Sequence, residues 1–208
     1  MAEAVKSAMR FLALGDSYTI GEAVAPEESW PHQLVHLAQA RGIGIERPVI
    51  IARTGWTTDE LIEAIAHSTV TGTFHLVSLL IGVNNLYRGR PLSEYRTELK
   101  QLLKLAVQFA DGHANQVRVL SIPDWGATPF ANGKDRSEIS RTTDQFNAVC
   151  REESERAGAQ WIDVTGTSRE GLRQPDLLTT DLLHPSGTMY HAWALSVLAS
   201  LKRSDTHE

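Results

Sequence analysis

Phe11-Leu12-Ala13-Leu14-Gly15-Asp16-Ser17-Tyr18 sets four apolar residues directly against a Gly-Asp-Ser turn. A short apolar run closed by glycine reads as a buried strand. Four similar runs follow, from Val49 to Ala52, Leu76 to Ile81, Val117 to Ile122 and Trp161 to Val164. Between them apolar residues recur at helical spacing. The clearest set is Tyr95, Leu99, Leu102, Leu103 and Ala106 behind a Ser93 cap. Another runs through Ile139, Thr143, Phe146, Val149, Cys150 and Ala157, and Gly187 to Leu201 supplies a last helix with Trp193, Leu195, Val197, Leu198 and Leu201 for packing.

Apolar strands alternating with helices imply a parallel sheet covered on both faces, because each crossover must carry the chain back over a face. The expected fold is therefore a three-layer α/β/α domain. At 208 residues the chain is long enough to bury roughly 70% of its unfolded surface in one core. No repeat or Pro/Gly-rich linker divides it, so residues 1–208 are expected to form a single domain with a core of about 10–202. The irregular stretch from Pro123 to Asp135 reads as a loop on the rim of a site.

Composition narrows the partners. With 20 Lys+Arg against 25 Asp+Glu the net charge is -5, and no dense basic cluster offers to neutralise phosphates, so no nucleic-acid partner is expected. The single Cys150 excludes an internal disulfide framework, and its place on an apolar helix face reads as packing. The opening Met1-Ala2-Glu3-Ala4-Val5-Lys6 is not expected to act as a secretory signal, and no run of about 18 apolar residues suggests a transmembrane segment. A cytoplasmic location is expected, and the oligomeric state, homo-oligomer included, is left open. His32, His36, His67, His75, His113, His191 and His207 form no dependable ligand set, so neither a metal nor another cofactor is expected. The stretch Arg151-Glu152-Glu153-Ser154-Glu155-Arg156 reads as a solvated helix face, with Glu152 and Arg156 spaced to pair.

In an open α/β sheet, sites form beyond the carboxyl ends of the strands. Gly15-Asp16-Ser17 ends the first strand, Arg53-Thr54-Gly55-Trp56 follows the second, Gly82-Val83-Asn84-Asn85 the third and Asp124-Trp125-Gly126 the fourth. All should share one rim. Near the end of the chain stands Asp181-Leu182-Leu183-His184-Pro185, where Pro185 disfavours helix at His184 and keeps the segment in a loop. Ser17 can attack a carbonyl, His184 can take its proton and pass it to a leaving alcohol, and Asp181 can orient the imidazole. The backbone amides of Ser17 and Gly55 and the side-chain amide of Asn84 are candidate donors to the oxyanion that forms. Asp16 reads as structural, bonding its own turn.

With Ser17, Gly55, Asn84 and His184 in four ordered blocks, the chain resembles the SGNH hydrolases, also called GDSL lipases and acylhydrolases. The resemblance spans about Arg10 to His191. It implies a flavodoxin-like five-stranded sheet of order 2-1-3-4-5, a Ser17 nucleophile completed by Asp181 and His184, and an oxyanion hole of Ser17, Gly55 and Asn84. Two positions depart from the family pattern: Tyr18 replaces its usual leucine, and Asn85 replaces an aspartate that often follows the third-block asparagine.

The leading expectation is a cofactor-free serine esterase acting on a small-molecule carboxylic ester or thioester, lysophospholipids included. A carbohydrate O-deacetylase would use the same residues. A non-catalytic flavodoxin-like binding module would leave Asp181 and His184 unused. An α/β-hydrolase is disfavoured because no Gly-x-Ser-x-Gly elbow occurs. Tyr18, Trp56, Leu86, Tyr87, Trp125, Leu182 and Leu183 flank the blocks and either line an acyl pocket or pack the core.

Overall fold

The computed structural model describes residues 8–201. The Met1 to Lys6 segment, His207 and the outer ends of the expected domain lie outside the described residues. Five strands, β1 (Phe11–Gly15), β2 (Val49–Ala52), β3 (Leu76–Leu80), β4 (Val117–Leu120) and β5 (Gln160–Ile162), form one parallel sheet of order β2-β1-β3-β4-β5. In register, Leu14 of β1 stands between Ile51 and Leu79, and Val119 of β4 between Leu79 and Trp161. Every residue of β1, β3 and β4 is buried, as covering both faces demands, whereas the edge strands β2 and β5 are only partly so.

The helices are α1 (Ser17–Ile20), α2 (Trp30–Gln39), α3 (Thr58–His67), α4 (Val83–Tyr87), α5 (Leu92–Phe109), α6 (Arg136–Arg156), α7 (Thr165–Ser168) and α8 (Gly187–Leu201). Helix α2 packs on α8, and α3, α5 and α6 pack in series, giving the outer two layers. Trp30 of α2 and Trp193 of α8 are both fully buried, the first against Phe11 of β1 and the second against Tyr18 and Tyr190.

Three local expectations change. Helix α5 starts at Leu92 behind Pro91, whose carbonyl accepts from the amides of Glu94 and Tyr95 at 3.1 and 3.2 Å, so Ser93 falls inside the first turn and caps nothing. The fifth strand ends at Ile162 rather than Val164 because the amides of Val164 and Thr165 turn to Ser121 Oγ at 2.8 and 3.0 Å. Glu153 is not on a solvated face. It is 2% exposed, since packing of α6 on α5 turns it toward Arg96, and it also accepts from Arg156 at 2.8 Å. Glu152 and Arg156 pair at 2.6 Å, and Cys150 is buried.

Candidate active site

Asp16 fixes the start of the site. Its Oδ1 accepts from the Tyr18 amide at 3.0 Å, capping α1 and setting Ser17 at the first helical position, where its amide has no partner one turn back. Burial pushes the Asp16 carboxyl up to about 7, against the hydrogen bond from Tyr18, and its Oδ2 has no partner among the described residues.

The loop before α8 brings the histidine to that serine. Leu178 and Pro185 bridge antiparallel, the Thr179 amide donates to the His184 carbonyl at 2.8 Å, and Leu182 turns the chain at φ +62°. His184 Nε2 thereby lies 3.0 Å from Ser17 Oγ, and His184 Nδ1 lies 2.6 Å from Asp181 Oδ2. Asp181 Oδ1 accepts from Thr179 Oγ1 at 2.7 Å and from the amides of Leu183 and His184, both at 2.9 Å. Burial alone would raise this carboxyl; the hydrogen bonds from His184, Thr179 and Leu183 prevail and hold it at about 2. It therefore stands as an anion beside the imidazole at neutral pH. Behind the imidazole sits the Tyr18 ring, 5.3 Å away between centroids, and burial raises its phenol far above its ordinary range.

On the opposite side Gly55 turns the loop after β2 at φ +83°. A Cβ there would meet only Arg88 Nη2, at 3.8 Å, so the glycine answers the backbone conformation rather than a tight approach by the protein. Asn84 follows Gly82 at the start of α4, and its Nδ2 donates to the Trp56 carbonyl at 2.9 Å, leaving its second proton for another acceptor. Arg88 donates through Nη2 to the Gly55 carbonyl at 2.6 Å and pairs through Nη1 with Glu60 at 3.3 Å. Thr57 and Glu60 form a capping box at the start of α3 that stiffens the same loop.

Ser17, Gly55, Asn84 and His184 all border one cavity of about 210 Å³. Of the expected pocket residues, Tyr18, Tyr87, Trp125 and Leu183 line it. Trp56, Leu86 and Leu182 do not. Leu86 is drawn into the core beneath α4, Trp56 packs against the core and offers only its carbonyl, and Leu182 points outward at 46% exposure because it occupies the left-handed turn. Three lining residues escaped sequence reasoning: Thr54, Val83 and Phe130. Each neighbours or lies within a block the sequence does mark, so adjacency is the signal that could have found them.

Phe130 comes from the rim loop, which is better ordered than its composition suggests. Two single 3-10 turns, Trp125–Ala127 and Pro129–Ala131, form it. Arg136 ties it down through the carbonyls of Gly126 and Thr128, at 2.8 and 2.7 Å, and Arg169 Nε meets the buried Asp124 at 2.9 Å. The Phe130 amide donates to the Leu182 carbonyl at 3.2 Å, joining this loop to the one bearing His184. Trp125 packs edge-on against both Tyr87 and Phe130, with centroids 5.3 and 6.2 Å away. The result is an aromatic wall.

Among the described residues no group of three or more His, Cys, Asp or Glu is placed to hold a metal ion, and no helix is long and apolar enough to cross a membrane.

Solved structures with similar folds include an acetylxylan esterase from Geobacillus stearothermophilus, 22% identical with a TM-score of 0.73 over 96% of each chain. An α/β hydrolase from a Lake Arreo metagenome is 20% identical, with a TM-score of 0.71 over 94% of this chain and 96% of its own. A psychrotrophic esterase from a Pseudoalteromonas species is 21% identical, with a TM-score of 0.69 over 95% and 99%. No curated protein matches the chain. The model of the GDSL-like lipase/acylhydrolase family matches residues 13–192, nearly the whole sheet and the loops on its rim, and the chain belongs to that family of serine ester hydrolases.

Proposed function

We propose that the chain hydrolyses compact carboxylic esters or thioesters through an acyl-enzyme on Ser17. The carrying observation is the line Asp181, His184, Ser17, with contacts of 2.6 and 3.0 Å. Ser17 Oγ attacks the carbonyl carbon while its proton passes to His184 Nε2, and the Asp181 anion stabilises the imidazolium. The new oxyanion meets the amides of Ser17 and Gly55 and the free proton of Asn84 Nδ2. As the carbon–oxygen bond to the alcohol breaks, His184 returns the proton to the departing oxygen. Water then attacks the acyl-enzyme, gives its proton to His184, and the carboxylic acid leaves as Ser17 regains its hydrogen.

The cavity supports a small substrate. Its 210 Å³ lies below the roughly 300–1,000 Å³ that drug-sized ligands occupy. A long lysophospholipid chain would extend beyond it. The leaving alcohol must lie near His184, where Leu183, Trp125 and Phe130 present apolar surface. Thr54, one lining residue with a hydroxyl, already donates it to Glu22. Apolar or aryl alcohols fit this wall better than a ring bearing many hydroxyls.

A carbohydrate O-deacetylase is the second reading. It is favoured by Tyr87 and Phe130, 53% and 40% exposed, which could stack on a sugar face at the cavity mouth.

Ser17→Ala should lower turnover of a chromogenic aryl acetate by about 10⁴- to 10⁶-fold with the fold retained. Undiminished turnover would remove Ser17 from this role. Comparing aryl acetates with acetylated sugars at equal concentration separates the two readings.

A further inference from the structure

Asn85 is fully buried next to Asn84, and its amide bonds a single residue, Thr58, the first of α3, where the loop after β2 ends. Its Oδ1 accepts from the Thr58 amide at 3.1 Å, and its Nδ2 donates to Thr58 Oγ1 at 2.6 Å. The Thr58 hydroxyl donates to Glu98 Oε2 on α5. These directions are forced. A carboxylate oxygen accepts, so the one hydroxyl proton of Thr58 goes to Glu98, and the hydroxyl oxygen is left open to a donor. An amide at position 85 supplies that donor on one arm and an acceptor for the Thr58 N–H on the other. A carboxylate there would supply two acceptors and no donor.

The segment held in this way carries Gly55 and the carbonyl that holds Asn84. Three residues before Thr58 stands Gly55, and the intervening Trp56 carbonyl receives the Asn84 side chain at 2.9 Å. Donors to an oxyanion act by being aimed before charge develops, and an aim held by buried, fully paired groups is kept only while every proton has its place. We propose that Asn85 is a positioning residue for the Gly55 and Asn84 donors, acting through Thr58, and that its amide is matched to the Glu98 carboxylate. The proposal rests on Gly55 and Asn84 serving the oxyanion.

The match can be reversed. In Asn85→Asp assayed above about pH 8, where the new buried carboxyl is ionised, two carboxylates compete for the single Thr58 proton, and one of them faces hydroxyl lone pairs. Adding Glu98→Gln supplies an amide that donates to Thr58 Oγ1, freeing its proton for the new carboxylate at position 85. The relay then runs the other way with every group paired.

Asn85→Asp should lower kcat on an aryl acetate about 10-fold with KM within about twofold, and Asn85→Asp/Glu98→Gln should recover most of the loss. Unchanged kcat in the single variant overturns the positioning role. A loss that the double variant does not recover overturns the match. If the single variant fails to fold, the double variant must fold and turn over near the wild-type rate; its failure also overturns the proposal. Asn84→Ala measured alongside separates the levels: unchanged turnover there removes the oxyanion assignment itself, whereas a large Asn84 effect with an indifferent Asn85→Asp removes only the latch.

Discussion

One Nδ2 proton of Asn84 is committed to the Trp56 carbonyl, so the side chain is aimed by the same group that stops it from rotating. Its alanine variant loses both a donor and the aim of the loop. Turnover in Asn84→Ala should fall by about 10²–10³-fold, the scale of one oxyanion donor, and a loss under about threefold would take Asn84 out of that role. At this scale the sequence carries a good deal. Ser17, Gly55, Asn84, Asp181 and His184 each follow a recognisable block, and the folded chain brings them to one rim. Side-chain direction is what it conceals. Trp56, Leu86 and Leu182 flank those blocks as closely as Tyr87 and Leu183 do, yet the backbone at Leu182 and the packing under α4 turn them elsewhere. Adjacency in sequence does not set a side-chain vector.

Between β3 and α4 the chain turns on Gly82, at φ +127°. A Cβ at this position would lie 2.6 Å from Tyr95 Cε2 and 2.8 Å from Ile122 Cδ1, both buried. Gly82→Ala combines backbone strain with overpacking and should destabilise the fold by about 2–4 kcal/mol. Urea denaturation would measure it, and a midpoint equal to the wild type would show that the turn can relax. Strands were legible because burial on both faces leaves continuous apolar runs in β1, β3 and β4. Their ends were not. Ser121 draws the chain out of the ladder after β5, and Pro91 sets the start of α5 ahead of the residue that looked like its cap. Glu153 shows the same limit, since a charged hexapeptide does not reveal that a neighbouring helix will cover one of its members.

Across the whole molecule, 167 positions separate Ser17 from His184, and the packing of α2 on α8 closes that distance. Two acids make its stability depend on pH in opposite windows. The Asp16 carboxyl, raised to about 7 from an ordinary 3.8, keeps its proton in the folded state where the unfolded chain has lost it. Stability should therefore fall as pH rises from about 4 to about 7 and then level. Asp181, held at about 2, contributes stability above an ordinary 3.8 that is lost as pH falls through about 2. Asp16→Asn retains the acceptor for the Tyr18 amide and removes the first titration. Thermal melts from pH 4 to 8 should show a drop in the wild type that is absent in the variant, and parallel curves would refute the assignment. The bond from the Phe130 amide to the Leu182 carbonyl also has meaning at this scale. In the proposed mechanism it fastens the aromatic wall of the cavity to the loop that holds the base. Transplanting a rim segment from a relative to change substrate range would therefore disturb proton transfer too, unless the graft returns an amide to that carbonyl.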